Sequence, residues 1–238
     1  MRTVFALYVW LVWALHMVLL GPVAVLATLI SPHVGFWVVK AGSFTALGMA
    51  GIRVVVKGQP RVDWSRAHVL MGNHQGILDP FILVMALPKH AVGIEKRENF
   101  AIPIYGQLAR AWGNLPIDRS NPEAARATIT RAETRLHGGT SIAIFPEGTR
   151  SLSGAIGPFK KGGFHLAVNT GADIVPFSIS GSYERLPPKE WRVSPGVVTL
   201  EWGDAVPTAG TDPEQMEGLM ARVRQAIEAR FLGLEAAK

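Results

Sequence analysis

A chain of 238 residues, 48% hydrophobic and only 18% charged, is too apolar to stay disordered and long enough for one domain with a short appendage. Its 25 Gly and 16 Pro are scattered without a period, which excludes collagen-like and low-complexity chains; the lack of cysteine excludes disulfides, thiolate metal sites and cysteine nucleophiles. The net charge of +6 is concentrated in residues 96–161, which hold ten Lys/Arg against five Asp/Glu; with no helix-turn-helix, zinc or aromatic RNA-binding pattern beside it, this block points to anionic lipid or a phosphorylated substrate, not to nucleic acid.

The chain opens on an apolar stretch: residues 3–39, 37 in all, contain no Asp, Glu, Lys or Arg. A cleavable secretory signal has an apolar core of ~7–15 residues, and this stretch runs well past that. Two helices are expected. The first covers residues 4–30 and is interrupted at Gly21-Pro22; the second runs from Pro32 to about Gly51, with Ser31 as N-cap and Pro32 at its first position. Unbroken, the first would reach ~40 Å and cross a ~30 Å hydrocarbon core; broken at Pro22, neither piece would cross comfortably. Residues 1–51 therefore read as a membrane-associated two-helix motif, spanning or half-inserted. Arg2 and the Arg53/Lys57 pair fall on one side of it, the cytoplasmic one by the positive-inside bias. Tyr8, Trp10, Trp13 and Trp37 have two readings, headgroup contact or helix packing.

Residues 52–238 alternate strands and helices. Strands are expected at 52–57, 67–72, 92–96, 115–117, 141–145, 174–180 and 197–202. Helices are expected at 79–87, 102–112, 121–137 and 159–169, and Asp212-Pro213-Glu214 starts a last one. In the last of these, Met216, Leu219, Met220, Val223 and Ile227 share a face. Pro176 inside the sixth strand marks an edge or a strand end. The pattern predicts an α/β fold, a mixed, partly parallel sheet flanked by helices, behind the N-terminal motif.

Three strand ends carry residues suited to chemistry, and strand ends are where α/β folds place ligands. Asn73-His74-Gln75-Gly76-Ile77-Leu78-Asp79 lies between a strand and a helix. His74 and Asp79 would sit about 140° apart on one helix, so they meet only if His74 lies in the turn and Asp79 opens the helix. An Asp so placed fixes the imidazole tautomer and stabilises the imidazolium that forms when His takes a hydroxyl proton. In Phe145-Pro146-Glu147-Gly148-Thr149-Arg150-Ser151, Pro and Gly shape a turn around an Arg whose fork suits phosphate, and Glu147 could position Arg150 or a substrate hydroxyl. Lys96 and Arg119, at two further strand ends, have both a structural and a substrate-binding reading. The chain has no P-loop, no His-Glu-x-x-His pair and no Gly-x-Ser-x-Gly elbow.

Taken together these segments resemble the lysophospholipid and glycerolphosphate acyltransferases, and among them the bacterial 1-acyl-sn-glycerol-3-phosphate acyltransferases. The likeness covers roughly residues 52–204. It rests on four blocks in the family order: His74 to Asp79 as His-x4-Asp; Lys96 through Leu115-Pro116-Ile117-Asp118-Arg119; Phe145 to Ser151; and Ile174-Val175-Pro176-Phe177. The resemblance implies that His74 is the general base and Asp79 its partner. It also implies that Lys96, Arg119 and Arg150 hold the acceptor phosphate, with Glu147, Gly148 and Thr149 shaping the acceptor site. The implied reaction moves an acyl group from a thioester of coenzyme A or acyl carrier protein to the sn-2 hydroxyl of lysophosphatidic acid, without metal or other cofactor. The implied setting is the cytoplasmic face of the inner membrane, the lysophospholipid being drawn from the bilayer. Gly76 and Ile77 depart from the family, where a small hydroxyl residue and an aromatic are common. Three other readings stay open: the same chemistry on lyso-ornithine lipid or glycerol 3-phosphate, a metal-dependent phosphoesterase, and a lipid-binding module.

Overall fold

The structure, a computed structural model, describes residues 1–236. Helix α1 (Arg2–Ile30) turns at Ser31 into α2 (Pro32–Met49), whose first residue is the expected proline. α1 runs straight through Pro22, contrary to the expected interruption. A helix-interior proline costs ~3 kcal/mol, but the helix is continuous and packed on both sides of it: Ala6 and Val9 are buried before it, and Ala24 and Thr28 after it. Small residues set the approach. A Cβ on Gly35 would collide with Thr28 of α1, and one on Gly21 would collide with Ile104.

Both helices of the hairpin contact the rest of the protein, while the turn between them is exposed at Leu29 and Ile30. Trp10 Nε1 donates to the Trp191 carbonyl (2.7 Å), and Lys40 Nζ donates to the Leu87 carbonyl (2.6 Å). Phe36, 1% exposed, packs with its ring centroid 6.3 Å from that of Trp112. Val9, Phe36, Leu47 and Ala50 belong to the same buried cluster as the residues under the sheet. The outward side of the hairpin is apolar and open, with Leu7, Leu11, Leu15, Val18, Leu26 and Trp37 exposed.

The seven strands are β1 (Ile52–Lys57), β2 (Val69–Gly72), β3 (Ala91–Lys96), β4 (Leu115–Ile117), β5 (Ser141–Ile144), β6 (Ile174–Ser180) and β7 (Gly196–Trp202). They form one sheet in the order β1-β7-β6-β2-β5-β3-β4. Only the β6–β7 pair is antiparallel, so the sheet is mixed and mostly parallel. Every residue of β2 and β6 is buried, as a strand covered on both faces requires. The helices are α3 (Asp79–Ala86), α4 (Tyr105–Trp112), α5 (Pro122–His137), α6 (Gly162–Thr170), α7 (Ser182–Arg185) and α8 (Met216–Ala236). α1 packs on α2 and α4, and α2 on α3; α5, α6 and α8 form a second group, with α8 against β6. Met216, Leu219, Val223 and Ile227 of α8 face the core, as their spacing predicts.

Three further sequence expectations need correction. Pro176 stands in a central strand, not at an edge. Its carbonyl accepts from Gly203 N (2.8 Å), just past the last β7 pair, Phe177 with Trp202. Its missing N–H therefore falls opposite a gap in the ladder, before Ile174 pairs with Val206. The helix expected over 102–112 starts at Tyr105, behind a 3-10 turn (Arg97–Ala101), because Ile104 takes a left-handed φ of 65° against Gly21. The helix expected from residue 159 starts at Gly162, because Lys160 N is bound to the Pro146 carbonyl (2.8 Å).

Candidate active site

The parallel register brings the strand ends to one rim. Met71 pairs with Ile144, which carries His74 level with Glu147; Gly93 pairs with Ala143 and Lys96 with Ile117, which brings Lys96 and Arg119 to the same edge.

Asn73, fully buried, ties the first block down by two bonds to Ile179: its Nδ2 donates to the carbonyl (2.8 Å) and its Oδ1 accepts from the amide (2.7 Å). Beyond it the chain leaves the strand in a turn, and Asp79 with Pro80 opens α3. His74 Nδ1 lies 2.7 Å from Asp79 Oδ2, the geometry the five-residue spacing allows only in a turn. Asp79 is fully buried, and four donors converge on it. Oδ2 accepts from His74 Nδ1, Gln75 N (2.6 Å) and Gly76 N (2.8 Å), while Oδ1 accepts from Ser182 Oγ (2.5 Å). A carboxylate that only accepts requires His74 Nδ1 to carry a proton. That leaves Nε2 with its lone pair free to receive one. The ring plane is set by Phe145, stacked at 4.2 Å and 15°.

Glu147 is not turned toward Arg150 or solvent. It is 5% exposed; Oε1 accepts from His74 N (2.6 Å) and Oε2 from Gly157 N (2.7 Å). Burial raises its carboxyl above the ordinary range, against the pull of these two amides. Ser151 N also donates to the His74 carbonyl (2.8 Å), so the third block grips the backbone of His74 on both sides. Gly148, at φ 70°, allows the turn and lets the Lys160 side chain lie across it.

Thr149 and Arg150 are exposed and border a groove of about 480 Å³ together with Glu147, Leu152, Phe159 and Lys160. Lys96 and Arg119 are exposed at the rim, Lys96 with Glu98 at 3.4 Å. The structure thus joins His74, Asp79 and Glu147 by direct hydrogen bonds and leaves Lys96, Arg119 and Arg150 as separate cations along the same rim.

Sequence reasoning missed Ser182. It is fully buried and follows Gly181, whose φ of 94° re-aims the chain after β6. The available signal was a Gly-Ser pair closing an apolar strand, the strand-end logic applied to the other blocks.

On the rim of this sheet a histidine is hydrogen-bonded to a fully buried carboxylate. The chain belongs to the acyltransferase family, whose pattern residues 53–180 match, a span holding His74, Asp79, Glu147 and Arg150. Over 182 residues it is 35% identical to a 1-acyl-sn-glycerol-3-phosphate acyltransferase alpha of Ovis aries, covering 76% of this chain and 63% of that protein. Over 145 residues it is 36% identical to a 1-acyl-sn-glycerol-3-phosphate acyltransferase of Cocos nucifera, covering 60% of this chain and 47% of that one. The chain thus spans less than two thirds of the length of these relatives. In fold it is similar to the crystal structure of the 1-acyl-sn-glycerophosphate (LPA) acyltransferase PlsC of Thermotoga maritima, with a TM-score of 0.82 at 23% identity, covering 96% of this chain and 97% of that one.

Proposed function

We propose that the protein is a 1-acyl-sn-glycerol-3-phosphate acyltransferase, moving a fatty acyl group from a thioester of coenzyme A or acyl carrier protein to the sn-2 hydroxyl of lysophosphatidic acid. The observation that carries this reading is the His74–Asp79 pair, with Nδ1 held at 2.7 Å and Nε2 left as a base. Nε2 takes the proton of the acceptor hydroxyl as its oxygen attacks the thioester carbonyl. Asp79 stabilises the imidazolium, which returns the proton to the departing thiolate. No cofactor beyond the donor is required by this chemistry. Arg150, Lys96 and Arg119 serve the acceptor phosphate from the rim. Thr149 and Gly148 shape the loop around it, and Glu147 acts by holding the His74 backbone. The phosphoesterase reading fits less well, because both oxygens of Asp79 are already taken by protein donors.

We infer that this chemistry takes place at a bilayer, on the cytoplasmic face of the inner membrane; the apolar α1–α2 hairpin and the position of Arg2, Arg53 and Lys57 support that reading. α1 is long and apolar enough to span. Its buried positions nevertheless run from Ala6 to Thr28, and both helices touch the α/β part, at Trp10 and at Lys40. That arrangement favours a hairpin lying in one leaflet, with its open apolar side down.

The test is a purified full-length enzyme in mixed micelles, assayed on lysophosphatidic acid, lyso-ornithine lipid and glycerol 3-phosphate with both donor types. Phosphatidic acid is the expected main product. Faster turnover of either other acceptor would replace the assignment. Arg150→Lys keeps the charge but loses the fork, so acceptor KM should rise with donor KM unchanged.

A further inference from the structure

We propose that the free edge of the sheet at β4 carries a second anion site, and that it takes the phosphates at the nucleotide end of a coenzyme A thioester. This rests on the acyl-transfer reading for its ligand but not for its existence. β4 is the last strand, and beside it lies a groove of about 730 Å³ between α4 and α5. Its cations are all arginines: Arg97, Arg110, Arg131 and Arg135. Among the described residues only Arg97 has a carboxylate within ion-pair distance, Asp118 at 3.1 Å.

The other carboxylates nearby are engaged elsewhere. Glu95 accepts from Tyr105 (2.6 Å) and Asn114, Glu98 lies beside Lys96, and Glu133 accepts from Asn169 of α6 (2.8 Å). Three guanidinium groups thus stand around one hollow with no carboxylate of the described residues in ion-pair distance, while neutral groups hold two of them. Arg131 donates to the Pro116 carbonyl (3.3 Å) and to Thr128 Oγ (3.1 Å), and Arg110 lies over the Phe100 ring at 5.8 Å. Cations oriented in advance by neutral partners are what a phosphate ligand requires, and the arginine fork matches phosphate oxygens in pairs.

The hollow has the volume of a small-molecule site, which lies at roughly 300–1,000 Å³, and Leu115 and Pro116 give it an apolar wall for a base. Pro116 has no N–H to offer, so this edge is not made to receive a peptide strand. The distance suits a carrier arm. β4 stands three strand steps from β2, which at ~4.8 Å each is about 14 Å across the sheet from the strand that leads to His74. A donor anchored by its phosphates at β4 would reach the base through its flexible thioester arm.

Calorimetric titration of the full chain in detergent micelles with adenosine 3',5'-bisphosphate tests this without turnover. Arg110→Gln/Arg135→Gln is the variant of choice, since neither guanidinium hydrogen-bonds another described residue and its melting should match that of the parent. Binding should be present in the parent and weaker by roughly tenfold to a hundredfold in the variant, about the loss of one to two charge-assisted contacts. In kinetics, KM for acyl-coenzyme A should rise by a similar factor. KM for acyl-phosphopantetheine, which lacks the nucleotide, and for lysophosphatidic acid should stay unchanged. No binding by the parent, or equal binding by both proteins, overturns the site. A rise in acceptor KM alone assigns the arginines to a lipid phosphate, and a rise confined to acyl carrier protein assigns them to a protein surface; either overturns the proposal. Binding lost in the variant while no donor supports turnover would leave the anion site standing and remove the acyltransferase reading.

Discussion

Asp79 has four donors, and they are not equivalent. The amides of Gln75 and Gly76 belong to the turn itself, His74 is the proposed base, and Ser182 reaches in from the far end of β6. His74→Ala should lose about 10²–10⁴ of the rate with little change in melting, since a base in a turn carries little packing. Retention of more than about a tenth of the activity would remove the base assignment. Ser182→Ala leaves Oδ1 buried without its donor, which costs about 1–3 kcal/mol in urea unfolding, and it should slow kcat less than His74→Ala does. Glu147 gives a pH signature. Its proton is held more tightly in the fold than in the unfolded chain, so its stabilising contribution is full below the ordinary value of 4.5 and is lost as pH rises through the raised folded value. Glu147→Gln should lack this downward slope. Melting curves taken from about pH 4 to 7 decide it, and parallel profiles for the two proteins would contradict the assignment. The His74–Asp79 pairing was legible because a five-residue spacing, a strand before it and a proline after it leave one geometry. Ser182 lies 103 residues from Asp79 along the chain, and no local pattern connects them.

At the scale of elements, β1 and β6 begin and end where apolar runs rich in β-branched residues meet glycine or polar residues, and the sequence is sufficient to place them. What it could not place depended on neighbours. Pro176 reads as an edge residue until the gap between Trp202 and Val206 is known to lie beside it. Pro22 reads as a breaker until packing on both sides of it is seen. The start of α4 depends on Ile104, held at a positive φ by contact with a helix more than eighty residues earlier. Phe36 tests whether the hairpin is an element of the core or an attachment. Phe36→Ala should cost about 3–5 kcal/mol in denaturation of the detergent-solubilised protein, as for a fully buried aromatic. A loss under about 1 kcal/mol would mark the hairpin as separable.

Considered whole, the protein has one buried cluster that runs from the hairpin into the sheet. Deleting residues 1–51 should therefore do two things. It should release the chain from membranes, at least partly, and it should uncover the surface around Leu87 and Trp112, giving an aggregating product instead of an active soluble enzyme. Flotation and activity assays on the truncated chain separate these effects, and a truncated protein that stays with membranes through high salt would count against the hairpin as anchor.

The same continuity has a consequence for biogenesis. A ribosome delivers the N-terminus first, at about 5–20 residues per second. The inward side of α1 and α2 is thus finished several seconds before Leu87 and Trp112 exist to cover it. If the hairpin meets a bilayer as proposed, lipid would cover that side during the interval, and the later strands would assemble on it. Refolding from denaturant should accordingly succeed when vesicles are present from the first moment. It should fail when they are added only after the chain has collapsed.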